Sequence, residues 1–388
     1  MPKARAGLLY SLFYSGQFVL LGIQLPFFAG WLSLHGFTAP EIGILTSLAL
    51  ISRLAIGPVI AYWADHQDDE RHGLSIIAGL FAAGAIGLVV SPSKVWIGIS
   101  AFAVLWAFGT LIPLTDTAVL RADRNGWLHY GRTRAVGSTA FLVTTILGGL
   151  LLSMSGVGAA APAMAAAAVF AFAITFLLPP QAGDRGGVRP VSWREAPRLL
   201  RSRVFVLVLI SAGLTQGAHA VYYAFSYLRW SDIGYSDVTI GALWATGVGA
   251  EIFLLVGARE LVRKISPTAL LIIGGAGAAL RWVITALEPP LATLFVVQLS
   301  HAATYAATYI GTLEFVDRAV PARLSNTAMT LMSATGVGAV TGIATAAAGF
   351  LWADSPAMAY FLMAAMGAIA VILALLARRV WSDDKIFE

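Results

Sequence analysis

The chemistry open to this sequence rests on a few ionisable side chains that lie inside long apolar stretches. A charge at the middle of a bilayer costs at least about 2.5–3.5 kcal/mol, so each such residue is a candidate functional group. Carboxylates and imidazoles can take up and release protons, and guanidinium groups can bind the carboxylate of a solute. The candidates are Arg53, Asp116, His219, Glu251, Arg281 and His301.

The composition indicates which solvent surrounds these residues. Hydrophobic residues make up 58% of the 388 residues and charged residues 12%, and the mean hydropathy is +0.79. A soluble domain carries about a quarter charged residues, so this chain is predicted to lie in a lipid bilayer.

Cys is absent, which excludes disulfides and thiolate sites. No lysine follows a glycine, so the G-x-x-x-x-G-K-[ST] loop that binds ATP is absent, and we expect neither a cofactor nor a metal.

The apolar stretches predict an all-α membrane protein with twelve transmembrane helices, since a span needs about 20 mainly apolar residues. The predicted spans lie near 7–33, 41–64, 74–91, 95–120, 133–154, 158–179, 203–229, 238–258, 267–287, 290–315, 325–352 and 356–377. Most Lys and Arg residues fall in the termini and in loops on one side, which places that side in the cytoplasm. We therefore expect a multi-pass protein of the inner membrane with both termini cytoplasmic. The net charge of +5 then reflects orientation rather than nucleic-acid binding.

An internal repeat predicts two pseudo-symmetric six-helix bundles. Gly36–Leu45 precedes the second span and Gly234–Leu243 precedes the eighth, and both read Gly, aromatic, hydroxyl, three variable residues, Ile, Gly, one variable residue, Leu. We expect an N-terminal bundle at 1–180, a cytoplasmic linker at 181–202 and a C-terminal bundle at 203–388. The same spacing relates Arg53 to Glu251, which either separate around a substrate or form a structural ion pair.

Five short motifs carry a resemblance to a known family. They are Tyr130–Gly137 after the fourth span, Gly217–Ala220 in the seventh, Gly247–Glu251 in the eighth, Leu280–Trp282 in the ninth and His301–Ala302 in the tenth. Together they make the chain similar to the phenylpropionate-permease branch of the major facilitator superfamily, which is close to the lactose-permease type of proton symporter. The likeness covers most of the chain and implies the major facilitator fold.

The resemblance implies substrate-binding roles at four matched positions. Asp116 matches a substrate-binding carboxylate, Arg134 an arginine that clamps the substrate, and Phe141 an aromatic ring that stacks on it. Glu251 matches a carboxylate of the second half that is essential for substrate. We also expect Arg53 to take part in binding, since a guanidinium can hold a carboxylate.

The resemblance also implies a proton-coupling site formed by Glu251, Arg281 and His301. One position departs from the pattern, because Thr304 stands where the family's proton-carrying glutamate is expected. Another group must then carry the proton, and Glu251 is the first candidate and Asp116 the second. Gly57–Asp65 keep the outline of a cytoplasmic gating motif, which implies a gating role for Asp65, although acidic residues follow where basic ones are usual.

These observations predict proton-coupled uptake of a small organic solute, such as an aromatic acid, by alternating access. The solute is expected between Asp116, Arg134 and Phe141 on one side and Glu251 and His301 on the other. The open alternatives are a sugar or nucleoside proton symporter and an exporter of drugs or metabolites. An intramembrane enzyme lacks a nucleophile–base–metal set, and a sensor lacks a soluble signalling domain, so we expect no enzyme. The expected partners are the solute, protons and the bilayer, with the protein as a monomer.

Overall fold

The computed structural model describes residues 3–65, 69–90, 93–181, 196–257, 262 and 264–386, which are helical almost throughout and contain no β-strand. Apolar sequence in a bilayer folds this way because a helix satisfies its own backbone hydrogen bonds where no water is available. The helices of the first half are α1 (Lys3–Leu34), α2 (Ala39–Asp65), α3 (Glu70–Val90), α4 (Lys94–Arg124), α5 (Tyr130–Ser155) and α6 (Ala160–Thr175).

The second half begins with a short helix and contains two interrupted spans. Its helices are α7 (Ala196–Arg201), α8 (Arg203–Gly217), α9 (Ala220–Asp232), α10 (Asp237–Gly257), α11 (Pro267–Ala286), α12 (Leu291–Leu299), α13 (Thr308–Ala319), α14 (Ser325–Ser333), α15 (Thr341–Asp354) and α16 (Pro356–Val380). Two π-helical segments, Ala302–Ala307 and Ala334–Val340, lie before α13 and before α15.

The described residues contain eleven helices that are long and apolar enough to cross a membrane, and the predicted all-α membrane class is confirmed. The predicted tenth span differs from the other spans. It consists of α12, a turn at Ser300, the π-helical segment Ala302–Ala307 and α13, because the helix is interrupted at Ser300. The interruption lies beside His301.

The repeat of Gly36 and Gly234 has a structural explanation in helix capping. Both glycines adopt positive φ, 79° and 96°, and each ends a helix with the same pair of backbone hydrogen bonds. Phe37 N donates to Leu32 O and Tyr235 N to Trp230 O, as in a Schellman motif. The hydroxyl residues Thr38 and Ser236 then cap the next helix by accepting from the backbone of Glu41 and Thr239. The repeated sequence therefore marks equivalent reversals of the chain.

The described chain divides into two compact units. One comprises Met1–Gly187 and Ala224–Ala245, and the other comprises Val188–Tyr223 and Thr246–Glu388. The end of the seventh span and the start of the eighth therefore pack with the N-terminal helices. Residues 182–195 of the linker predicted at 181–202 lie outside the described residues, and the predicted boundaries stay predictions.

Small residues allow α1 to approach its neighbours closely in the first unit. A Cβ atom on Gly16 would lie 2.9 Å from the Cβ of Ala171 in α6, and a Cβ on Gly22 would lie 2.9 Å from the backbone oxygen of Phe141 in α5. Helices in a membrane associate through such close packing rather than through a hydrophobic driving force. This approach brings the aromatic side chains of α1 to the residues that end α4 and begin α5.

In the second unit, α11 packs along α16, and α8 packs against α16 and the π-helical segment Ala334–Val340. Glycines again mark the contacts, since a Cβ on Gly217 would lie 2.6 Å from a side-chain carbon of Val340. An apolar cluster that includes Phe205, Leu271 and Phe315 fills one end of this unit. The one charged residue of α11, Arg281, is not part of that cluster and lies in a separate polar centre.

Candidate functional site

The first cluster of polar residues surrounds Asp116 on α4. The hydroxyl of Tyr14 on α1 donates a short hydrogen bond to Asp116 Oδ1, and the hydroxyl of Tyr130 lies 3.5 Å from the same atom. Arg134 on α5 completes the cluster, with Nε 3.4 Å from Asp116 Oδ1. Gln17, one turn along α1 from Tyr14, donates to Thr115 Oγ1 at 3.1 Å and fixes α1 against α4 at this level. The structure therefore brings Asp116 and Arg134 together.

The guanidinium of Arg134 lies over two aromatic rings of α1. Its central carbon is 4.5 Å from the ring centroid of Phe18 and 5.5 Å from that of Tyr14, which is cation–π geometry. Room for Phe18 comes from Gly137, where a Cβ would lie 2.9 Å from the Phe18 ring. The side chains of Arg134 and Asp116 remain 29% and 28% exposed, so neither is enclosed by its neighbours.

Phe141 lies two turns beyond Arg134 on α5 and is buried. The rings that contact the guanidinium of Arg134 are those of Tyr14 and Phe18. Phe18 and Tyr130 were not among the residues predicted from sequence. The i, i+4 spacing of Tyr14 and Phe18 on one helix face was the available signal.

Arg53 on α2 is held by its own helix and by a notch in α4. Its Nε donates to Ala49 O at 3.2 Å. Gly109 provides the notch, because any Cβ there would collide with the Arg53 guanidinium. Within its unit, the described residues place no carboxylate in contact with this guanidinium. Asp65 ends α2, but its side chain lies outside the described residues, so the gating role stays a prediction.

The second cluster is centred on Arg281 of α11, which is almost fully buried. Its Nη2 donates to Gln298 Oε1 at 2.7 Å, and its Nη1 lies 2.9 Å from His301 Nδ1 and 3.2 Å from Thr304 Oγ1. The guanidinium also lies against the rings of Trp282, at 4.4 Å, and Tyr222, at 4.9 Å. All three hydrogen-bonding partners named here are uncharged or weakly basic groups. Within the part of the chain that the structure describes, the cation is therefore buried without a carboxylate among its hydrogen-bonding partners.

The contact with Arg281 determines which nitrogen of His301 carries the proton. Arginine can only donate hydrogen bonds, so His301 Nδ1 must accept. The neutral ring then carries its hydrogen on Nε2, which lies 3.6 Å from Glu251 Oε2 on α10. His301 is thus oriented by Arg281 on one side and directed at Glu251 on the other.

Glu251 is the more accessible member of this second cluster. Its side chain is 20% exposed, whereas that of His301 is 5% exposed. Gly247, one turn earlier on α10, lies beside His301, where a Cβ would make an ordinary contact at 3.5 Å with the Cβ of His301. Among Glu251, Arg281 and His301, only the carboxylate can bind a proton without losing the hydrogen bond between Arg281 and His301.

Thr304 and His219 extend the cluster toward the seventh span. Thr304 Oγ1 lies 3.0 Å from Nε2 of His219, whose Nδ1 lies near the backbone oxygens of Thr215 and Gln216. The resemblance identified position 304 only as a missing carboxylate. The structure shows that the threonine hydroxyl has three polar neighbours, Arg281 Nη1, His219 Nε2 and His301 O.

Comparison with known proteins is consistent with this architecture. The family model described as "MFS_1 like family" matches residues 8–363. The "Probable 3-phenylpropionic acid transporter" of Escherichia coli strain K12 is 29% identical over 345 residues, covering 87% of this chain and 89% of the relative. The "Maltose permease" of Geobacillus stearothermophilus is 24% identical over 377 residues, covering 95% of this chain and 94% of the relative.

Solved structures resemble this chain over nearly its whole length. The nucleoside transporter NupG superposes with a TM-score of 0.78 at 16% identity, covering 96% of this chain and 98% of that one. The D-xylose–proton symporter superposes with a TM-score of 0.70 at 14% identity, covering 98% and 97%. At such low identity these likenesses show the fold alone, which is that of major facilitator transporters.

Proposed function

Because the chain belongs to the MFS_1 like family and is a multi-pass secondary transporter, we propose that it imports a small aromatic carboxylic acid together with protons. The import proceeds by alternating access across the inner membrane. Both termini lie in the cytoplasm, as the distribution of Lys and Arg favours, and the protein acts as a monomer. It converts no substrate chemically.

The single observation that carries the coupling proposal is the arrangement of Arg281, His301 and Glu251. Arg281 occupies Nδ1 of His301, so the hydrogen of this ring lies on Nε2, which faces Glu251 Oε2 at 3.6 Å. An ionised Glu251 attracts the Nε2–H group of His301, and protonation of Glu251 weakens this attraction. Protonation of one accessible carboxylate therefore changes the contacts of a buried cation, which is what coupling requires.

The charged residues of the first unit support an anionic aromatic substrate. Arg53 presents a guanidinium that contacts no carboxylate among the described residues of its unit, and arginine binds carboxylates with two parallel hydrogen bonds. Asp116 and Arg134 add a partly exposed polar pair, whose guanidinium lies over the buried rings of Tyr14 and Phe18. The name of the Escherichia coli relative points to the same substrate class.

Uptake into proteoliposomes tests the proposal directly. The purified protein is reconstituted, and entry of labelled 3-phenylpropionate is followed with and without an inward proton gradient. We expect accumulation above the external concentration only with the gradient, and its collapse when a protonophore is added. Equal entry under both conditions would refute proton coupling, and no entry under either would refute the substrate.

A second candidate is a proton symporter for a sugar or nucleoside. Asp116 contacts the hydroxyls of Tyr14 and Tyr130, and a carboxylate in such surroundings can also bind solute hydroxyls. The maltose permease relative belongs to this substrate class by name. A panel of sugars and nucleosides competing against labelled 3-phenylpropionate separates the two candidates. Everted membrane vesicles separate import from export of drugs or metabolites.

A further inference from the structure

We infer that Thr304 and His219 are positioning residues that connect Arg281 to a break in the seventh span through a hydrogen-bond chain of fixed direction. The chain links the buried cation to the end of α8. The role of this hydrogen-bond chain in transport rests on the proposed function. The directions of its hydrogen bonds are independent of that function.

The break in the seventh span lies at His219. Helix α8 ends at Gly217 and α9 begins at Ala220, and the His219 ring between them is fully buried. His219 Nδ1 lies 3.1 Å from Thr215 O and 3.2 Å from Gln216 O. The last carbonyls of a helix lack their usual partners, so this ring caps the end of α8 from within the membrane.

The middle of the hydrogen-bond chain is Thr304, which lies in the π-helical segment Ala302–Ala307. Single π-helical turns inside α-helices occur frequently at functional sites. Here the segment directs a fully buried Thr304 hydroxyl at two groups, Arg281 Nη1 at 3.2 Å and His219 Nε2 at 3.0 Å.

The direction of every hydrogen bond in the chain follows from the chemistry of its donors. Arg281 can only donate, so Thr304 Oγ1 accepts from it. His219 Nδ1 faces two carbonyl oxygens, so Nδ1 carries the hydrogen of the neutral ring and Nε2 is an acceptor. The Thr304 hydroxyl has two acceptors in reach, His301 O at 3.4 Å and His219 Nε2 at 3.0 Å, and the shorter distance assigns its hydrogen to His219 Nε2. A single hydroxyl therefore transmits the position of the Arg281 guanidinium to the ring that caps α8.

The same reasoning gives the two buried histidines opposite tautomers. His301 accepts from Arg281 through Nδ1 and carries its hydrogen on Nε2, whereas His219 carries its hydrogen on Nδ1. Both rings depend on the Nη1 atom of Arg281, His301 directly and His219 through Thr304. Movement of this guanidinium, when Glu251 changes protonation or a solute arrives, therefore alters the contacts at both rings.

The position of the break at His219 determines which segment the hydrogen-bond chain can affect. The backbone passes from one compact unit to the other between Tyr223 and Ala224, shortly after His219. A change in the cap at His219 acts on the end of α8 just before this crossing. Thr304 and His219 thus couple the charged cluster to the segment that joins the units, without themselves binding solute.

The tautomers of the two histidines, measured in the full-length protein, test the hydrogen-bond chain independently of transport. Solid-state NMR of histidine-labelled protein in liposomes distinguishes Nδ1–H from Nε2–H rings, and loss of a signal in His219→Gln and His301→Gln assigns each one. We expect the Nδ1–H form for His219 and the Nε2–H form for His301. The same tautomer at both positions, or a cationic His219 at neutral pH, would overturn the inference.

Substitution of Thr304 tests the coupling. Thr304→Val keeps the shape and removes the hydroxyl, and we expect about a tenfold lower maximal rate of gradient-driven uptake with an unchanged KM. Thr304→Ser restores the hydroxyl, and its rate is expected within about twofold of the wild type. Adding His219→Gln to Thr304→Val should cost little more, because both changes break the same chain.

Three outcomes would contradict the inference: full activity in Thr304→Val, equal loss in Thr304→Ser and Thr304→Val, or fully additive losses in the double variant. Failure of the wild type to take up 3-phenylpropionate would contradict the proposed function instead. The tautomer measurement would then still decide the hydrogen-bond chain.

Discussion

The Nη1 atom of Arg281 lies 2.9 Å from the Nδ1 atom of His301. Because arginine has no acceptor, this distance assigns the free hydrogen of His301 to Nε2 and directs it at Glu251. His301 therefore cannot take up a second proton, which would have to bind at Nδ1, without losing its hydrogen bond from Arg281. We therefore propose the carboxylate beside it, Glu251, as the proton-binding group.

Replacement of Glu251 by Gln removes the proposed proton site while keeping the size of the side chain. We expect accumulation of 3-phenylpropionate against its gradient to fall by at least about a hundredfold, because no group remains to couple proton movement. Exchange of labelled for unlabelled solute at equilibrium should persist, since it needs no net proton transfer. Uptake and exchange in proteoliposomes at several pH values check this.

The matched control for Glu251 is Glu314→Gln on α13. Glu314 lies 3.6 Å from Arg318 one turn away, outside the cluster around Arg281. This variant should accumulate solute as the wild type does. Undiminished accumulation in Glu251→Gln would show that another group carries the proton.

Replacement of Gly109 by Ala displaces Arg53 without removing its charge. A Cβ at this position collides with the guanidinium, so the cation must leave its notch. We expect about a tenfold higher KM for a carboxylate substrate, because a misplaced guanidinium loses its paired hydrogen bonds. Gly98→Ala on the same helix is the control, since its Cβ would meet only ordinary contacts at 3.8 Å. Equal KM values in both variants would remove Arg53 from the binding site.

Replacement of Arg134 by Lys keeps a positive charge beside Asp116 but loses the planar group that lies on Phe18. We expect KM to rise about tenfold with a smaller change in maximal rate, because lysine offers neither the fork of donors nor the stacking surface. The neighbouring Arg132 is exposed, and Arg132→Lys should leave both kinetic values near those of the wild type. A wild-type KM in Arg134→Lys would mean that charge alone suffices there.

Replacement of Gly16 by Ala tests the packing that positions α1. The added Cβ would lie 2.9 Å from Ala171 Cβ and 3.0 Å from Ala171 N, and the backbone atom cannot move aside cheaply. Overpacking of this kind typically costs about 1–3 kcal/mol, so the thermal unfolding temperature in detergent should fall. Gly7→Ala on the same helix has only a contact at 3.7 Å and should unfold as the wild type does. Unchanged unfolding in Gly16→Ala would show that α1 and α6 separate readily.

Hydropathy and charge placement were sufficient to predict the membrane class and nearly all the spans. Every span in a bilayer needs about 20 apolar residues in a helix that makes its own backbone hydrogen bonds. Apolar stretches of that length can be found in a single sequence. The repeat at Gly36 and Gly234 could also be recognised in the sequence, because helix caps depend on residues only a few positions apart. The interruptions at His219 and Ser300 were not predicted, since apolar and small residues surround both and local propensity does not require a break.

The ionisable residues of the site were identifiable from sequence because charges inside apolar segments are rare, but their partners were not. Only tertiary packing placed Tyr14 and Phe18 of α1 around Asp116 and Arg134, through the close approach at Gly22 and Gly137. Likewise, the sequence marked Thr304 as a missing carboxylate, whereas the folded chain makes its hydroxyl the link between Arg281 and His219. Hydrogen-bond partners that are far apart in the chain depend on helix approach and rotation, which distant small residues control. Residue types and short spacings therefore predicted the candidates and the fold, and the packing of the helices decided which of them act together.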